Sequence, residues 1–134
     1  MAAGVQVTFD CADPARLAGF WASALGYVIQ PPPEGFDSWP AFLQSINVPE
    51  SLWNSRSACV DPDGKGPRLY FQQVPEPKPA KNRVHLDVNV GRDRVDAEVG
   101  RLTGEGATVI TDKSEMGERW VVMADPEGNE FCLQ

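Results

Sequence analysis

The chain has one histidine, His85, three cysteines and two tyrosines among its 134 residues. So little histidine and cysteine leaves few ways to build a soft-metal centre. Cys11, Cys59 and Cys132 stand at no metal-like spacing, and their odd number reads as buried thiols rather than a disulfide framework. Positive charge is also short: 12 Lys and Arg face 19 Asp and Glu, a formal net charge of -7. The densest basic cluster, Lys78, Lys81 and Arg83, is too small to make a phosphate-binding face, so a nucleic-acid partner is excluded. No apolar run approaches the roughly 20 residues that span a bilayer. The start, "MAAGVQVTFD", lacks the basic n-region of a signal peptide. A cytoplasmic protein without a membrane partner is the expectation. Neither a P-loop nor a Gly-x-Ser-x-Gly elbow is present.

What is there is organised twice over. "VQVTFDC", Val5 to Cys11, alternates as a half-buried strand does. Asp13 then offers an N-cap and Pro14 a first helical residue. Leu17, Phe20, Trp21, Ala24 and Leu25 fall on one helical stripe, which Gly26 closes. "YVIQ" opens a second strand. Residues 31–55 are rich in proline and aromatics and have no strand period, which suits a structured lid over the core. Strands resume at "SACV" and "RLYFQQV" around the turn "DPDGKGP". A linker, 75–81, precedes a second round: strand "RVHLDVNV", a helix capped by Asp93 with Val95, Val99 and Leu102 as its stripe, then three strands.

Three ordered anchors mark a diverged duplication: "VTFD" with "VHLD", "LGYVI" with "EGATVI", and "DPDG" with "DPEG". One domain, 1–134, is expected, made of two βαβββ modules at about 4–75 and 82–134. Strand parity puts Gln6, Thr8 and Asp10, then Arg68, Tyr70 and Gln72, on the faces opposite the helices. In the second module it puts His85, Asp87 and Asn89, then Glu130, Cys132 and Gln134, there. These faces read either as a polar ligand-binding cup or as a solvated sheet surface. Trp39 and Trp53 of the insert line that pocket or pack against the fold; Trp120, alternating with Val122, is assigned to the core. The aspartates ending "VTFD" and "VHLD" have a second reading as caps of the turn that follows.

With "RLAGFWASALGY", "DPDGKGPRLYFQQVPEPK", "KNRVHLDV" and "DPEGNEFCL", the chain resembles the vicinal-oxygen-chelate superfamily. That superfamily includes glyoxalase I, extradiol dioxygenases and bleomycin-resistance proteins, and the likeness is greatest to the bacterial glyoxalase-like branch. The resemblance implies an α+β fold, with curved mixed sheets and helices on the convex side. It also implies four metal-ligand positions, which carry over to Thr8, Arg68, His85 and Glu130. Only His85 and Glu130 are ligating types, so the resemblance makes a divalent metal conceivable while these residues disfavour it. Arg68 is expected to pair with Glu130 in place of the ion, or to hold a substrate oxyanion.

Two functions stay open. One is a lyase- or isomerase-type enzyme on a small oxygenated metabolite, with His85 and Glu130 catalytic and Thr8, Arg68, Tyr70, Gln72, Asp87, Trp39 and Trp53 binding. The other is a non-catalytic binder of a small, drug-like compound. A homodimer is expected in either case, because each open sheet has edges to cover.

Overall fold

The computed structural model describes residues 1–134, which divide into two compact units, Met1–Pro75 and Glu76–Gln134. Unit 1 runs β1 (Val7–Cys11), α1 (Pro14–Leu25), β2 (Val28–Ile29), α2 (Trp39–Ser45), β3 (Arg56–Val60) and β4 (Leu69–Gln73). Unit 2 runs β5 (Leu86–Val88), α3 (Val95–Gly104), β6 (Thr108–Glu115), β7 (Glu118–Ala124) and β8 (Glu130–Leu133). Each unit forms a four-stranded mixed sheet of the same order, β1-β4-β3-β2 and β5-β8-β7-β6, with one parallel pair in each. The duplicated βαβββ reading of the sequence is therefore the architecture. No helix is long and apolar enough to cross a membrane.

Local chemistry explains where α1 starts and stops. The Asp13 carboxylate accepts from the Arg16 N–H at 3.3 Å, and Pro14 occupies the first turn. Gly26 ends the helix at φ 70°, a left-handed conformation that glycine adopts without strain. Leu17, Phe20, Trp21 and Ala24 of the expected stripe are buried, while Leu25 at the last turn is half-buried. Trp21 packs on Phe9 of β1, and Phe9 stacks on Phe71 of β4, each pair with ring centroids 5.2 Å apart. In unit 2 the equivalent core is Val88, Val121, Met123, Phe131 and Leu133 with Val95 and Leu102 of α3.

Several expectations are corrected. The first strand begins at Val7, because Val5 is exposed. The strand expected over "RVHLDVNV" shrinks to Leu86–Val88, and Val84, placed on the apolar face by its spacing, is 80% exposed. The reason lies at Asn82. Its backbone N–H is taken by the Glu130 side chain at 3.0 Å, so the incoming chain is tied to β8 by a side chain before ladder pairing begins at Leu86. Asp93 does not cap α3: a 3-10 turn, Arg92–Arg94, precedes the helix, and Arg94 stands at the N-cap without a side-chain capping bond.

In the stripe of α3, Glu98 is buried and Val99 only partly. The Glu98 carboxylate sits between Arg94 and Arg101, at 2.8 Å from each. Within the insert, Ser38 accepts from the Ala41 N–H at 3.2 Å and starts the seven-residue helix α2, which the aromatic and proline content hides.

Both Asp-Pro-x-Gly segments are turns built by their aspartate. Asp61 accepts from the N–H groups of Asp63, Lys65 and Gly66, and Asp125 from those of Glu127 and Asn129. The strand-end aspartates Asp10 and Asp87 do not show the capping role. Asp10 accepts from the Gln72 side chain at 2.7 Å, and Asp87 faces His85.

Candidate functional site

In unit 2, the sheet face away from the core carries a cavity of about 290 Å³ whose lining includes His85, Asp87, Trp120, Val122, Glu130 and Cys132. The alternation of β7 and β8 builds it. Val122 lies opposite Cys132 and Ala124 opposite Glu130, while Val121 and Met123 turn inward opposite Leu133 and Phe131. Trp120 shares the parity of Val122, so it lines the cavity and is only half-buried, which corrects its assignment to the core. The stretch "WVVM" is apolar at every position, so its alternation alone does not choose a face.

His85 precedes β5, and its Nδ1 lies 3.1 Å from the Asp87 carboxylate. Asp87 is the parallel neighbour of Cys132 on β8. The Cys132 thiol is raised above its usual range, first by burial and then by the Asp87 charge and the hydrogen bond to it, so it stays protonated at neutral pH. Nitrogen, carboxylate oxygen and sulfur all lie within 4.8 Å of one another. Asp87 thus adjoins both His85 and Cys132.

Glu130 reaches the same cavity but has other partners. Lys78 stands 3.1 Å from its carboxylate and the Asn82 N–H donates to it at 3.0 Å. Burial works to raise this carboxyl, yet the Asn82 and Glu130 backbone N–H groups and Lys78 outweigh it and hold it below the usual range. Glu130 is therefore ionised, and its charge is already balanced.

The unit 1 residues singled out from the sequence lie on the second face of their own sheet. Thr8 is in register with Tyr70, and Asp10 with Gln72. Arg68 is held by Gln30 at 2.7 Å and Gln6 at 2.9 Å, so Arg68 and Glu130 each find their partners within their own unit. Trp39 donates its indole N–H to the Gln30 carbonyl at 2.8 Å and packs on Phe42, pinning the insert beside this face. Trp53 donates to the Val48 carbonyl and serves the insert's own fold.

The four positions that the resemblance offers a divalent metal do not fit one. Thr8 supplies a hydroxyl and Arg68 a cation, and the Glu130 oxygens are bound to Lys78 and Asn82. Two unit charges at ~4 Å in a partly buried setting interact by roughly 4 kcal/mol, so Lys78 alone opposes a cation at Glu130 appreciably. Mn²⁺ at 100 µM is accordingly expected to raise the melting temperature by less than about 1 °C. A site of micromolar affinity would add about 2.7 kcal/mol at a hundredfold excess, a shift of several degrees in a thermal melt.

Comparison with known proteins agrees with the architecture. The family model "Glyoxalase-like domain" matches residues 6–134. No curated protein matches significantly. Among solved structures, a possible glyoxalase from Bacillus cereus is similar at 17% identity and TM-score 0.65, over 99% of both chains. A glyoxalase/bleomycin resistance protein/dioxygenase family enzyme from Burkholderia phytofirmans PsJN reaches 18% identity and TM-score 0.66, over 96% of this chain and 94% of that one. A mutant of the fosfomycin resistance protein FosX from Listeria monocytogenes, complexed with Mn(II) and a dihydroxypropylphosphonic acid, shares 12% identity. Its TM-score is 0.68, over 100% of this chain and 90% of that one. At such identities the likeness to these structures is one of fold.

Proposed function

The chain belongs to the glyoxalase-like domain family, and from that premise we propose that unit 2 binds a small oxygenated metabolite. In this reading His85 moves a proton in lyase- or isomerase-type chemistry. The observation that carries it is the His85–Asp87 pair on the lining of the cavity, 3.1 Å apart at Nδ1. A carboxylate that accepts from Nδ1–H fixes the tautomer and leaves the Nε2 lone pair as the base. Asp87, rather than the balanced Glu130, is the partner that orients the imidazole. Cys132, held as a thiol, is a hydrogen-bond donor in the lining and not a nucleophile.

Trp120 favours a second reading. An indole beside Val122 on the same wall suits a flat ligand held without reaction, as in a drug-binding protein. In both readings the protein is cytoplasmic and works as a homodimer.

Nitrogen-15 NMR of the imidazole tests the positioning. The neutral ring of His85 is expected as the Nδ1–H tautomer, and Asp87→Ala should shift it toward Nε2–H. Finding Nε2–H in the unmodified protein would remove Asp87 from the role assigned to it.

A further inference from the structure

Arg68 is oriented without being neutralised. Its Nε donates to the Gln30 side-chain oxygen and its Nη1 to that of Gln6, both uncharged amides. Its guanidinium lies 5.1 Å from the centre of the Tyr70 ring, which holds it from a third side. Six Lys– or Arg–carboxylate pairs form among the side chains of unit 2, and Arg68 enters none. In a chain with 19 acidic residues, a half-buried arginine fixed by neutral groups alone keeps its whole charge for something else.

Two of its five N–H donors are used, so three remain. Thr8 stands in register with Tyr70 on the same face, and its oxygen accepts only a long 3.5 Å bond from Gln6, which leaves its O–H free to donate. Fixed guanidinium donors with a hydroxyl nearby match a carboxylate or phosphate, whose oxygens accept two parallel bonds.

We propose that the unit 1 sheet face is an anion-binding site centred on Arg68, positioned by Gln6 and Gln30, which takes the carboxylate or phosphate group of a small molecule. The site goes beyond the reading of the unit 2 cavity and stands on different residues.

The test is NMR of the full chain, following the Arg68 Nε–H and the Thr8 and Tyr70 amides. Acetate and inorganic phosphate are titrated separately, with ionic strength held constant by sodium chloride. Saturable shifts are expected with at least one of them, and the stronger arm tells carboxylate from phosphate. Arg68→Gln should weaken binding at least tenfold and Arg68→Lys by a smaller factor, since a point charge replaces the fork. Lys65→Gln, which changes net charge equally, should stay within twofold, and His85→Ala should leave the response intact. Shifts that never saturate in either arm would overturn the proposal. So would equal losses in Arg68→Gln and Lys65→Gln, because a general charge effect would then explain them. If Arg68→Gln does not fold, Arg68→Lys decides: unchanged affinity there would show that the fork has no role.

Discussion

Trp21→Ala is expected to destabilise the protein by about 3–5 kcal/mol, the range for deleting a buried aromatic side chain. Trp21 is 1% exposed and joins α1 to the sheet through Phe9, which in turn stacks on Phe71. It also meets Phe20 edge-on at 5.6 Å. Removing it therefore empties the centre of a four-ring cluster. A domain stable by only about 5–15 kcal/mol would be left marginal. Urea unfolding followed by circular dichroism measures the loss. As a control, Phe36→Ala in the insert, where the ring is half-buried, should cost much less. A loss below about 1 kcal/mol for Trp21→Ala would contradict the packing described.

Asp125→Ala should cost roughly 2–4 kcal/mol, because hydrogen-bond donors would lose their acceptor inside the fold. Asp125 is 3% exposed, and it accepts from the Glu127 N–H at 2.9 Å, the Asn129 N–H at 3.0 Å and the Asn129 side-chain amide. Glu130, the first residue of β8, follows directly. Loosening the turn therefore frees the strand that carries Glu130 and Cys132. Hydrogen exchange of the β8 amides should accelerate along with the loss seen in urea. Asp61→Ala removes the same kind of turn from a more open place and should cost less. Equal losses at the two positions would show that burial is not what sets the cost.

These two positions mark what the residues reveal by themselves. Asp13, Gly26 and the alternation of "VTFD" act within a few residues, so the start and end of α1 and the place of β1 can be read from the chain. The ordered repeat of "VTFD", "LGYVI" and "DPDG" likewise yields the duplicated modules. Long-range partners cannot be read in this way. Nothing local tells that Glu130 accepts from Asn82, which shortens β5, whereas the Arg94 and Arg101 partners of the buried Glu98 stand at helical spacings that the chain does show. Ser38 caps a helix of only seven residues, too short to show a period among prolines and aromatics. Parity does bring His85, Asp87, Glu130 and Cys132 to one cavity, but Lys78 and Gln30, which govern Glu130 and Arg68, carry no sequence signal of a role. Trp120 was legible only through Cys132: once Val122 is set opposite that residue, its neighbour two positions back must share the face.

The central claim is that the unit 2 cavity binds a small oxygenated molecule through His85, and one titration tests it. Isotope-labelled full-length protein, prepared with a chelator, would be titrated with small hydroxy acids and keto acids such as lactate and pyruvate, while NMR follows the His85 ring and the Trp120 indole. The account predicts saturable shifts confined in unit 2 to His85, Asp87, Trp120 and Cys132, with affinity falling at least tenfold in His85→Ala. Binding that leaves His85 and Trp120 unmoved, or that needs an added divalent metal, would contradict it.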